Sequence, residues 1–286
     1  MCFETDARPP DPPAEMAGGA VDGRALMLQA SDGNRFPAYA ARPLTVAGTG
    51  ARGAGEGIAP TIPLGTGIVV IPDIRGLVPF YEELALRFAE AGLHAVAIDL
   101  YARTAGPERR PDVDYREHAA RTTQAGIAAD VAAAVDFLRS HEMGATGALF
   151  SVGFCSGGRA SLLQGVEAHG LAGVIGFYGF PTGAARNGSD APADVADRYR
   201  SAVLALYGGA DQGIPAEAAA TFDRALEQAG VDHESVTYPG APHSFFDKGY
   251  EEYAAASDDA WRRMLAFVAA HASEAGPAGS DEGSTR

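Results

Sequence analysis

A cysteine between glycines, an aspartate and a histidine stand at three points of this chain where acyl chemistry would need them. Cys155 lies in Gly153-Phe154-Cys155-Ser156-Gly157-Gly158. An apolar run, Ala148-Leu149-Phe150-Ser151-Val152, precedes it, and a helix-like stretch follows from Arg159. Strand, sharp turn and helix with a nucleophile at the turn form a nucleophile elbow. Its turn residue is strained, and its neighbours two positions away are small so that backbones can approach. Asp211 closes Leu206-Tyr207-Gly208-Gly209-Ala210-Asp211, and His243 sits in Tyr238-Pro239-Gly240-Ala241-Pro242-His243-Ser244-Phe245. Each segment follows a predicted strand, and in open parallel sheets that edge is where sites form.

The residue types assign the expected roles. A thiol of ordinary pKa, about 8.5, is mostly protonated at neutral pH. His243 is the group to take its proton, and Asp211 the group to fix the imidazole tautomer and stabilise its charged form. The helix opening near Gly157 turns its positive end toward Cys155, which favours thiolate. The Ser156 backbone N–H points at the developing oxyanion, and the Ile74 N–H, from the loop after the strand at 67–72, is the expected second donor. Taken singly, each residue has a plainer reading: an inert buried thiol, a turn aspartate, a loop histidine. Order and strand-end placement together favour the catalytic one.

The elements that must hold these residues alternate along the chain. Segments 25–30 and 35–41 flank Ser31-Asp32-Gly33-Asn34, a hairpin signal. Strands are predicted at 67–72, 94–100, 148–154, 171–178, 202–207 and 234–238. Helices are predicted at 79–91, 115–141, 159–169, 216–229 and 250–272. This pattern gives an α/β fold with a mostly parallel central sheet, helices on both faces and an antiparallel N-terminal edge hairpin. A Gly-rich surface loop is expected at about 46–67. Composition marks 1–20 and 274–286 as disordered tails around one domain at 21–273.

The chain has 286 residues and 47% hydrophobic residues, enough for a large core. Its net charge of −15, with no basic patch, argues against nucleic acid and anionic membranes as partners. The two cysteines, Cys2 and Cys155, do not make a disulfide framework, and a reducing, cytoplasmic setting is expected. The N-terminus shows no secretory pattern, and no apolar run is long enough to span a bilayer.

The order nucleophile, acid, histidine is that of the α/β-hydrolases. Within them, residues 22–271 resemble the dienelactone hydrolase family. The resemblance rests on Ser31-Asp32-Gly33, Ile71-Pro72-Asp73-Ile74-Arg75-Gly76, Asp99-Leu100-Tyr101-Ala102-Arg103, the cysteine elbow, Gly209-Ala210-Asp211 and Ala241-Pro242-His243-Ser244-Phe245. It implies a Cys155–Asp211–His243 triad, no cofactor and hydrolysis of a lactone or activated ester; no metal site is expected, and the chain is expected to act on a small molecule as a monomer or homodimer. The family usually carries Glu where this chain has Asp73, one methylene shorter, to hold the resting thiol. Its dienelactone-specific members place an arginine where this chain has Asp247. Arg75, Arg103, Arg116 and Arg121 are the other cations nearby, Arg75 being nearest the thiol. Phe245, Phe246 and Tyr178 either line an apolar pocket or pack in the core. A thioesterase, or a thiol sensor on the same fold, remains compatible with the residues.

Overall fold

The antiparallel hairpin forms where the turn signal places it. Strand β1 (Val21–Gln29) pairs with β2 (Arg35–Pro43), and Asp32 Oδ1 accepts from the Asn34 N–H at 3.1 Å inside the turn. The computed structural model describes residues 6–44, 61–108, 115–246 and 251–274. The chain continues through β3 (Gly67–Ile71), α1 (Pro79–Glu90), β4 (His94–Ile98), α2 (Ala102–Ala105), α3 (Tyr115–Arg121) and α4 (Gln124–Arg139). Then come β5 (Leu149–Phe154), α5 (Ser156–Gln164), β6 (Gly173–Phe177), β7 (Ala202–Gly208), α6 (Ala216–Ala229), β8 (His233–Tyr238) and α7 (Ala254–Glu274).

The eight strands form one sheet in the order β1-β2-β4-β3-β5-β6-β7-β8. Pairing is antiparallel for β1–β2 and β2–β4 and parallel from β4 onward. Every residue of β3, β5 and β6 is buried, as expected for strands covered on both faces. Their exits therefore meet on one rim with little freedom to move. The rows that cover them follow helical spacing. Helix α1 buries Phe80, Tyr81, Leu84, Ala85, Phe88 and Ala89, a stripe recurring every three to four residues. One core cluster extends from Leu28 to Val268.

Two expected helices differ in the structure. The helix expected at 115–141 is broken into α3 and α4. Thr123 leaves helical geometry at φ −123° and ψ 150°, and its side chain accepts from the Gly126 N–H at 3.0 Å. A threonine N-cap thus overrides the alanine-rich periodicity. Helix α5 starts at Ser156, three residues before the expected 159. A 3-10 segment at Pro192–Arg198 and the short α2 carry too few turns to show a periodic pattern.

The described part of the expected N-terminal tail lies against the body. The Trp261 indole N–H donates to Pro10 O at 3.1 Å, and Asp11 pairs with Arg87 at 2.9 Å. Proline-rich composition lowers the entropy that such docking must overcome. Residues 275–286, Cys2, and most of the expected Gly-rich loop lie outside the described residues. Among the described residues no helix is long and apolar enough to cross a membrane.

Candidate active site

Cys155 joins β5 to α5 at φ 55° and ψ −116°. A non-glycine residue in that region stores backbone strain, and the surrounding packing must hold it there. The glycines show how. A Cβ on Gly153 would lie 1.9 Å from Gly157 O, and one on Gly157 would lie 2.0 Å from Pro72 O. Helix α5 therefore seats its first turn directly on the exits of β5 and β3. The Cys155 N–H donates to Phe177 O at the end of β6, at 3.0 Å. The cysteine itself is buried, and among the described residues it is a thiol rather than half of a disulfide.

Asp211 follows β7 and His243 follows β8, and the structure brings the two side chains together. His243 Nδ1 lies 2.6 Å from Asp211 Oδ2. A carboxylate can only accept, so Nδ1 carries the proton, and the neutral tautomer that this bond selects presents a lone pair at Nε2. Asp211 Oδ1 accepts from the Gly213 N–H at 2.8 Å. Burial pushes the Asp211 pKa up, but His243 and the N–H groups of Gly213 and Ile214 outweigh it, and the net direction is down. Asp211 is thus held as a carboxylate, the form that orients an imidazole.

Cys155 and the Asp211–His243 pair share this rim, linked by the end of β6. Phe177 takes the Cys155 N–H, and the next residue, Tyr178, lays its ring 4.9 Å from the His243 ring. Phe180 packs beside His243 at 5.7 Å. Among the described residues, the non-glycine residues at positive φ are Cys155, Tyr178 and Ser244. All three belong to this rim, where strain concentrates at functional sites.

Across the elbow from His243, the loop after β3 is held by polar contacts. The Asp73 N–H donates to Tyr81 Oη at 2.9 Å, the Arg75 N–H to Asp73 Oδ1 at 2.8 Å, and the Gly76 N–H to Asp73 O at 2.9 Å. Of the backbone N–H groups from Asp73 to Gly76, that of Ile74 is left without an acceptor among the described residues. The Tyr101 hydroxyl donates to Ile74 O, and Asp99 Oδ2 accepts from the Tyr101 N–H at 2.9 Å. Ser156, at the first position of α5, likewise has no intrahelical acceptor for its N–H.

Asp73 and Arg75 meet each other. The Arg75 Nη2 lies 2.9 Å from Asp73 Oδ2, and Nε lies within 3.2 Å of both carboxylate oxygens. Their side chains are only 1% and 10% exposed, so the pair is a buried fork. Arg103 is taken up by Asp130 at 2.8 Å and by Asp32. Arg116 lies over the Tyr115 ring and Arg121 faces Glu117, both on α3. Phe245 and Phe246 are fully buried, Phe245 against Tyr178, Phe177 and Tyr238. They sit in the aromatic core beneath the rim. Asp247 lies outside the described residues.

Tyr81, Tyr101 and Phe180 support the site without any direct signal of that role in the sequence. The two tyrosine hydroxyls come from α1 and from the exit of β4, and no spacing rule connects them to residues 73–74. Phe180 stands two residues past Tyr178, and only the strand-end position hints at its use. Among the described residues, no group of three or more His, Cys, Asp or Glu side chains could hold a metal ion.

With this geometry, the relatives are informative. Residues 57–272 match the dienelactone hydrolase family. A Salmonella typhimurium protein provisionally named carboxymethylenebutenolidase is 31% identical over 86% of this chain and 87% of its own length. A Rhodococcus opacus protein named carboxymethylenebutenolidase is 31% identical, over 71% of this chain and 80% of its own. A crystal structure from Klebsiella pneumoniae, provisionally assigned as a dienelactone hydrolase, superposes with a TM-score of 0.73 at 30% identity. It covers 87% of this chain and 99% of that one. The chain therefore belongs to the dienelactone hydrolase family and is a lactone or ester hydrolase built on the α/β-hydrolase fold.

Proposed function

We propose that this protein hydrolyses a carboxylic ester or lactone through a thioester on Cys155, with His243 as proton carrier and Asp211 as its orienting acid. The observation that carries the reading is the 2.6 Å contact between His243 and Asp211 on the rim that also bears the strained Cys155. The thiol proton passes to His243 Nε2 as the sulfur attacks the acyl carbon. The carbonyl oxygen becomes an oxyanion, and the N–H groups of Ser156 and Ile74 are the donors suited to it. Collapse breaks the C–O bond, and His243 gives its proton to the leaving alkoxide. For a lactone that oxygen stays tethered to the acyl group. Water, deprotonated by His243, then attacks the thioester, and the carboxylic acid leaves as sulfur regains its proton. These residues handle every proton and bond change in the cycle. A reducing compartment such as the cytoplasm suits a mechanism that depends on a thiol.

Asp73 has a different part in this reading from the one its family position implies. Its carboxylate accepts from the Arg75 backbone and side chain. We read it as the organiser of the oxyanion loop, not as the resting partner of the thiol. Arg75 is correspondingly its counter-ion.

The test is hydrolysis of a panel of small esters and lactones by Cys155→Ala and Cys155→Ser. Cys155→Ala should fall by about 10⁴-fold or more in kcat/KM. Cys155→Ser should lie far below wild type, because the higher hydroxyl pKa leaves too little driving force for proton removal. Full activity in Cys155→Ala would refute the proposal. A protein acylated by the ester but never turning over would be a thiol sensor instead.

A further inference from the structure

Arg159 is a buried cation on α5 that the catalytic cycle does not use. It is 5% exposed, and its own N–H donates to Cys155 O at 3.1 Å. Its guanidinium touches backbone carbonyls of a single loop, the one leading from β6. Nε donates to Asp190 O at 3.1 Å, and Nη1 to Phe180 O at 3.2 Å and Thr182 O at 3.3 Å. Nη2 donates to Gly183 O at 2.9 Å, Ser189 O at 3.0 Å and Asp190 O at 2.8 Å. A planar fork with five N–H groups can close such a ring of acceptors, and an ammonium group cannot. Burying a guanidinium this deeply is costly unless its donors are all used.

The loop that Arg159 gathers carries Phe180. That ring lies against His243 at 5.7 Å. It also lies against Gly213, where an added Cβ would meet Phe180 at 3.3 Å. Gly213 is the residue whose N–H holds Asp211. Phe180 thus abuts His243 and the glycine whose N–H holds Asp211, and its own carbonyl is one of the oxygens Arg159 holds.

We infer that Arg159 is a positioning residue that holds Phe180 against His243 and Gly213, and so fixes the imidazole in register with Asp211. The inference rests on the reading of His243 as the proton carrier. The position four residues after the cysteine marks Arg159 in the sequence: it is the one charged residue in a helix that is otherwise small or apolar up to Gln164. The strength of the effect follows from geometry, since a misplacement of about 1 Å in a catalytic group costs on the order of 10²-fold.

Three variants test it: Arg159→Lys, Phe180→Ala and the double variant, each assayed for kcat, KM and pH profile on one ester. Arg159→Lys should lower kcat roughly 10–100-fold with KM changed less than about threefold. Phe180→Ala should do the same, and the double variant should be no worse than the poorer single one, because both act through one contact. Arg159→Lys at wild-type kcat would show that the charge suffices and would overturn the inference. So would Phe180→Ala at wild-type kcat, which leaves the guanidinium contacts intact and guards against a folding defect in the Arg159 variant. Losses that multiply would also overturn it. The downfield proton resonance of His243 Nδ1–H in the bond to Asp211 gives a readout independent of turnover. It should broaden or vanish in both single variants and stay sharp in wild type. An active Cys155→Ala would sink the proposed mechanism while leaving that resonance test standing.

Discussion

The two sides of the elbow are held by different forces. On the β3 side, residues 73–76 are fixed by directional bonds: a buried Asp73–Arg75 fork and the hydroxyls of Tyr81 and Tyr101. On the β7–β8 side, His243 is flanked by the rings of Tyr178 and Phe180, with one short bond to Asp211. The division matches the work proposed for each side. Oxyanion donors are useful only if their direction is set before charge develops, so reorganisation must be designed out. An imidazole that gains and loses a proton at each step needs its plane fixed and its second nitrogen unobstructed. Aromatic faces constrain a ring without competing for its lone pair. Cys155 stands between the two, its strained turn permitted by the glycines that let α5 approach the ends of β5 and β3.

That contrast can be broken from the His243 side first, where the effect should be largest. His243→Ala should cost about 10⁴-fold in kcat at neutral pH. It should also slow thioester breakdown more than thioester formation once the thiol is ionised at high pH, as separate acylation and deacylation measurements would show. Asp211→Asn is expected to lower kcat roughly 10²–10⁴-fold, because an amide can donate to Nδ1 and favour the wrong tautomer.

The same residue gives a pH signature. The folded-state pKa of Asp211 is lowered. Its contribution to stability is therefore complete above the ordinary carboxylate value, near 4, and disappears as pH falls through the lower folded value. Urea unfolding of wild type and Asp211→Asn should differ at pH 7, and the gap should close progressively below about pH 4. A gap that stays constant into strong acid would contradict the assigned direction.

On the opposite side the expected effect is smaller. Asp73→Asn keeps an acceptor for the Arg75 N–H but loses the charge of the fork. We expect kcat to fall about 10-fold or somewhat more as the Ile74 N–H loosens, with the pH–rate profile unmoved. A shifted profile with unchanged limiting kcat would instead make Asp73 a partner of the thiol.

Much of the frame was legible because each signal was local. The hairpin at Asp32-Gly33, the β-branched run of β3 and the amphipathic α1 announce themselves within a few residues. So does the elbow, where small residues two positions either side of Cys155 are a steric requirement. The pairing of Asp211 with His243 was readable from order and strand-end placement. The supports of the site were not. Tyr81, Tyr101 and Phe180 reach it from elements far apart in the chain, and an aromatic residue at those positions reads as core. The break at Thr123 was missed because alanine spacing on both sides continues one helical phase. The buried Asp73–Arg75 fork could not be read by carrying a role over by position, because one methylene fewer and an arginine two residues on let the carboxylate bind Arg75.

The most direct test of the account is to quench the enzyme during turnover of a chromogenic ester and weigh the peptide that contains Cys155. The mechanism predicts an acyl adduct on that thiol, forming as fast as the alcohol is released and disappearing at the rate of deacylation. Steady turnover with no adduct on Cys155, or with the adduct on another residue, would contradict it.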